Sequence, residues 1–146
     1  MKKTLVAALV LTVAGLASLA QAGGQQVVAQ VSPDGQSLLV RTYRCGTPSS
    51  LSLRGTAEGL VEGQRRTLDL EITPGTEAGV FRVARQWPAE GRWVLVLNVA
   101  GERGVSTLVT LEAGATLRIA EQKQSYEKPQ PERIAAALGV TASAAR

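Results

Sequence analysis

From Gln25 to about Gln122, short runs rich in Val, Leu and Thr alternate with clusters of Gly, Pro, Asp and Ser at near-regular spacing. "QVVAQV" and "SLLVRTYR" flank "SPDGQ", which predicts a first hairpin with Asp34 and Gly35 at the positive-φ positions of a tight reversal. "CGTPSS" breaks the pattern before "LSLRGTAEGL", and "VEGQ" breaks it again before "RRTLDLEIT". In that last run Leu68, Leu70 and Ile72 fall on one face and Thr67, Asp69 and Glu71 on the other, predicting one half-buried strand with a wet outer face. "VFRVARQ", "RWVLVLNVA", "VSTLVTLEA" and "LRIAEQ" complete the series, separated by Gly- and Pro-bearing turns. The pattern predicts an all-β chain, an immunoglobulin-like antiparallel β-sandwich of about seven to eight strands.

One run stands apart. "WVLVLNVA" is apolar at nearly every position, so both of its faces are expected to be covered, and it should be a central strand. Trp93, Leu95, Leu97 and Val99 share its main core face. The turn before it, "WPAEG", has Pro88 to fix φ and Gly91 to supply conformational freedom. Trp93, opening an inner strand, reads as a core anchor. For Trp87, just ahead of the turn proline, a packing role and a place on a contact surface both stand.

After Gln122 the character changes. "KQSYEKPQPE" reads as a linker, and "PERIAAALG" as a short helix with proline at its first position and a glycine stop, marginal unless its Ile134 and Leu138 side docks on something. At the other end, "MKKTLVAALVLTVAGLASLAQAGG" has the layout of a secretory signal peptide with an A-x-A site ending at Ala22. The expected organisation is therefore a signal peptide over 1–22, a β-sandwich over 23–122 and a linker with a short helix over 123–146. The expected address is the periplasm or the exterior, with no membrane span after cleavage.

Composition then narrows the chemistry. The chain has no histidine, and its one methionine is the first residue. Neither a Ser-His-Asp nor a Cys-His arrangement can be built, and imidazole and thioether metal ligands are missing. No cofactor is implied and no enzyme is expected. The formal charge of +4 comes largely from arginines scattered along the chain, without a dense block or interleaved aromatics, which argues against nucleic-acid binding. Cys45 is the only cysteine, so no internal disulfide can form; burial is the expectation for it, with a reactive thiol as the alternative. The Gly-rich segment from Arg44 to Arg66 groups Cys45, Arg44, Arg54, Glu58, Glu62, Arg65 and Arg66. These read as edge-strand and loop charges, or as a contact surface of Trp87, Arg44, Arg54, Arg65 and Arg66 around a candidate reactive thiol at Cys45. The carboxylate pairs Glu58 with Glu62 and Asp69 with Glu71 raise glycoside hydrolysis, but solvation alone accounts for the second pair.

The segment "GVFRVARQWPAEGRWVLVLNV", with its Pro and its Gly-x-Trp, resembles the small exported sandwich domains of the YtkA-like and FixH-like kind, and more distantly the CopC-like fold, over about residues 52 to 112. The resemblance implies a hairpin whose tryptophan packs in an immunoglobulin-like core, and a link to metal handling or to assembly of membrane-bound redox complexes. The absence of histidine and of internal methionine departs from the copper-binding members. The resulting expectation is a non-enzymatic exported domain that acts by contact with a protein of the cell envelope. The alternatives are a small-ligand or metal carrier using Cys45 and carboxylates, and a C-terminal helix that docks a partner.

Overall fold

A computed structural model of the chain describes residues 24–100 and 104–140. The expected signal peptide lies outside these residues. The strands are β1 (Gln25–Val31), β2 (Ser37–Arg44), β3 (Thr47–Pro48), β4 (Leu53–Val61), β5 (Gln64–Asp69), β6 (Ile72–Pro74), β7 (Val80–Ala84), β8 (Arg92–Val99), β9 (Val105–Leu111) and β10 (Ile119–Ser125), followed by one helix, α1 (Pro131–Ala137). They form two antiparallel sheets. One has the order β1-β2-β7-β6, with β3 paired on β2; the other has the order β10-β9-β8-β4-β5. In immunoglobulin lettering these are A-B-E-D and G-F-C-C′, with β10 added beyond G.

The core lies between the sheets. Val27, Ala29, Leu38, Val40 and Val83 come from one side, and Trp93, Leu95, Leu97, Val99 and Val109 from the other. Trp93 anchors it as the sequence predicts, and the reason its large ring fits is on the neighbouring strand. Gly59 is paired with Trp93, and a Cβ at Gly59 would stand 2.5 Å from the ring. The indole N–H donates to Glu90 O at 2.9 Å, so the ring's one polar group is satisfied inside the turn that precedes it.

Three details differ from the sequence reading. The run "RRTLDLEIT" is not one strand: β5 ends at Asp69, Leu70 still donates to Gly55 O, and the chain then crosses to the other sheet as β6. The alternation of Leu68, Leu70 and Ile72 persists across the crossing because both sides face the same core. The tryptophan turn is likewise a crossing from β7 to β8 between sheets, not a hairpin. In the first hairpin only Gly35 has positive φ; Asp34 works through its carboxylate instead, accepting from Gln36 N and Ser32 Oγ. The tight two-residue reversals fall where the sequence read only breaks. Cys45 and Gly46 have φ of 49° and 78°, Glu62 and Gly63 have 50° and 78°, and both pairs join successive antiparallel strands as type I′ turns do.

The two sheets are joined along one side by glutamines. The amide of Gln122 accepts from Ala29 N at 2.9 Å and donates to Ala29 O at 2.7 Å; that of Gln124 accepts from Val27 N at 3.0 Å and donates to Gln25 O at 3.1 Å. Edge strand β1 therefore finds its missing partners in side chains of β10, the edge of the opposite sheet. On another side Arg85 fixes the β7–β8 crossing, its guanidinium donating to the carbonyls of Trp87, Pro88, Gly114 and Ala115.

Two predictions arise. Gly59→Ala should destabilise the fold by about 1–3 kcal/mol through overpacking against Trp93, read by urea unfolding with an unchanged slope. Replacing Gln122 and Gln124 together by alanine should speed amide hydrogen exchange at Val27 and Ala29 while leaving Leu38 and Val40 protected; uniform exchange along β1 in the unaltered chain would contradict the role of the glutamines.

Candidate functional site

The residues singled out by sequence do not converge. Trp87 is only 4% exposed and belongs to the core cluster, so it is a packing residue and not part of a contact surface. The crossing that carries it runs over the end of the sandwich, and Arg85 holds the Trp87 carbonyl outward while the ring turns in. Arg54 lies on β4 opposite Asn98, and Arg65 lies on β5 opposite Leu60, six residues further along β4. At about 3.3 Å per residue these two arginines are about 20 Å apart. Arg66 neighbours Arg65, and Arg44 closes β2 beside Gln25. The arginines are therefore spread over opposite ends of the sandwich.

Cys45 is exposed, contrary to the expectation of burial. Its position in a type I′ turn explains this: both central residues of such a turn point away from the sheet. Its backbone N–H donates to Gly24 O at 2.8 Å. Among the described residues no group of three or more Cys, Asp or Glu side chains comes together. Glu58 is occupied as well. Its carboxylate accepts from Thr56 at 3.2 Å and Thr67 at 2.8 Å and lies 3.8 Å from Arg65, while Glu62 sits in the turn beyond.

What the structure does build is a cleft on the outer face of the second sheet. Val94 and Val96 point away from Trp93 and Leu95 yet are 0% and 5% exposed. The C-terminal segment lies over this face, where α1 shares a cleft with Thr110 and Leu108, the strand partners of Val94 and Val96. β10 runs to Ser125, three residues past the expected boundary, and α1 then folds back so that Leu138 is fully buried and Ala135 nearly so. Arg92, at the start of β8, donates to Leu138 O, placing a cation at the helix C-terminus. Gly139, with φ of 72°, ends the helix in a Schellman motif, in which Val140 N donates to Ala135 O and Gly139 N to Ala136 O. The Ala135 and Leu138 side of α1 is thus buried within the chain itself, the docking that so short a helix requires.

Helix and sheet do not close completely. Between them lies a cleft of about 560 Å³ with Leu108 of β9 and Ala136, Ala137 and Pro129 as its apolar lining. Glu121, Lys123, Glu127 and Arg133 stand around it, with Ser106, Thr110 and Ser125 between. Glu121 and Lys123 pair at 3.0 Å; Arg133 makes no ion pair among the described residues. None of these residues stood out in sequence. The available signal was β8 itself, since a strand apolar on both faces requires a cover, and among the described residues the segment after β10 carries an apolar stretch that can supply one.

No protein-family model matches this chain, and no curated protein or solved structure is significantly similar to it.

Among the described residues one titratable group is clearly displaced. The Asp34 carboxyl is held below the usual aspartate value of 3.8, first by the Ser32 hydroxyl, then by the Gln36 N–H, with Arg82 at 2.9 Å adding to both. A folded-state value below the unfolded one contributes stability that is present above the unfolded value and lost as pH falls through the folded one. The first hairpin should therefore loosen in acid below about pH 4, and Asp34→Asn should remove that part of the pH dependence of the unfolding midpoint. An unchanged acid limb in the variant would rule the assignment out.

Proposed function

We propose that this chain is an exported, non-enzymatic immunoglobulin-like domain that acts by protein–protein contact as an accessory of an envelope complex, and that the cleft beneath α1 receives a short segment of the partner. The observation that carries this reading is the make-up of the cleft. An apolar floor at Leu108, Ala136 and Ala137 lies within a rim that has acids at Glu121 and Glu127 and bases at Lys123 and Arg133. A rim of both signs suits a polypeptide segment bearing apolar and charged side chains; a polyanion such as nucleic acid calls for a rim of one sign. The volume is that of a site for a few side chains, not for a folded domain.

Export rests on the N-terminal sequence pattern, and the non-enzymatic reading on a composition without histidine. The likeness of residues 52 to 112 to YtkA-like and FixH-like domains supports the same address and the same accessory kind of role.

A photo-cross-linking side chain placed at Ala136, in the cleft, and at Gln36, in the exposed β1–β2 turn, separates the surfaces. The expected outcome is a discrete adduct with one envelope polypeptide at position 136 and none at 36, with the yield falling several-fold in Arg133→Glu. Equal labelling at both positions, or a yield indifferent to Arg133, would refute the cleft as the contact site.

A further inference from the structure

Sandwich proteins must deal with the edges of their sheets, and this one treats its four edges differently. β1 and β10 are bound to each other through glutamine side chains. β6 is three residues long and ends in Pro74, which has no N–H to offer. β5 is six residues long, "QRRTLD", exposed at every position but Leu68, and paired only with β4.

The hydrogen-bond phase of β5 is fixed. Val61 and Gln64 flank the two-residue Glu62-Gly63 turn, and Leu70 N donates to Gly55 O at 3.0 Å, so the even-numbered residues of β5 bond to β4. The N–H and C=O groups of Arg65, Thr67 and Asp69 therefore point outward. The side chains of these same three residues lie on the outer face of the sheet, where Thr67 donates to Glu58 and Arg65 lies near it. The order along the edge is cation, hydroxyl, anion. Such an order is self-complementary when reversed.

We propose that the chain self-associates through β5, in an antiparallel edge-to-edge pair with Thr67 on the two-fold axis. In that register Thr67 faces Thr67 of the second copy, and Arg65 faces Asp69 of the second copy twice over, once from each side. All three residues meet as hydrogen-bonded pairs, giving about six new main-chain hydrogen bonds and joining two five-stranded sheets into one. Arg66 faces Leu68 on the inner side.

Other registers are penalised. A shift toward the turn sets Arg66 against its own counterpart, and a further shift does the same to Arg65. A shift the other way carries the pairing past Asp69, where the Glu71 N–H is already held by Gln86 Oε1 at 2.7 Å. The arginines that discourage indiscriminate edge pairing thus select one register. The inference concerns β5 alone and is independent of the cleft reading.

Sedimentation equilibrium of the chain purified from its host, with reductant present so that the exposed Cys45 thiol cannot cross-link, tests it. The expected result is a reversible dimer. Asp69→Arg should weaken it by about tenfold or more, since it removes two attractive pairs and creates two repulsive ones, and adding Arg65→Asp should restore it. Thr67→Pro removes an outward N–H and the side-chain bond to Glu58 while leaving the main-chain pairing with β4 in place, and should weaken the dimer while the circular dichroism stays native; this variant decides the matter if Asp69→Arg fails to fold. A chain that stays monomeric to millimolar concentration overturns the proposal. So does a dimer indifferent to Thr67→Pro and Asp69→Arg.

Discussion

Strand β8 has no wet face, and most of the structure is a response to that. Its inner residues, Trp93, Leu95, Leu97 and Val99, need a second sheet across from them; its outer residues, Val94 and Val96, need a third layer. Transfer from water favours covering such side chains by about 1.5–3 kcal/mol each, so an exposed pair would cost a large fraction of the stability of a small domain. The C-terminal segment supplies the missing layer with one seven-residue helix. A helix that short is marginal alone. Leu138 packing beneath it, the Schellman end and Arg92 at its terminus hold it in place. Because so short a helix cannot cover a five-stranded sheet, a cleft remains beside it over β9 and β10. The cleft is thus a geometric consequence of the core strand.

The polar side chains tell a parallel story. In a chain without histidine, several polar side chains are engaged in holding backbone. Gln122 and Gln124 complete the hydrogen bonding of β1, Arg85 gathers four carbonyls from two loops, and Asp34 organises the first turn. Each works where regular pairing stops, at an edge or a crossing, because there the main chain has unmet donors and acceptors that would be costly to bury. Glu58 follows the same rule on a sheet surface, bound by two threonines.

This division explains what the sequence could disclose. The alternation of apolar and polar residues identified most of the strands, the fold class, the central place of β8 and the burial of Trp93, since these depend on a side chain's own preference for water. The path between the sheets was hidden, because "RRTLDLEIT" keeps its alternation while changing sheets at Leu70. Turn type was half legible: Glu62-Gly63 and Cys45-Gly46 carry the glycine that a type I′ turn wants at its second position, but glutamate and cysteine at the first position signal nothing. The exposure of Cys45 was missed and the direction of Trp87 left open for one reason. Residue type gives an average burial, whereas a turn or a crossing sets the direction of one particular side chain. The cleft residues were illegible because Leu108 and Ala136 acquire meaning only once helix and sheet have met.

Three uncovered features of the described residues differ in kind. The outer face of the first sheet, with half-buried Val28, Leu39 and Val80 beside Arg41 and Arg82, is an ordinary amphipathic surface. The cleft has shape and a rim of both charge signs, so whatever enters it is selected by its side chains. The β5 edge has main-chain groups in a row and little concavity, so it selects for an extended backbone and reads side chains only through Arg65 and Asp69. A strand edge is promiscuous unless charge restricts it. Here the restriction comes from residues whose own order matches their reverse, and the partner that satisfies such an order with no further requirement is a second copy of the same strand.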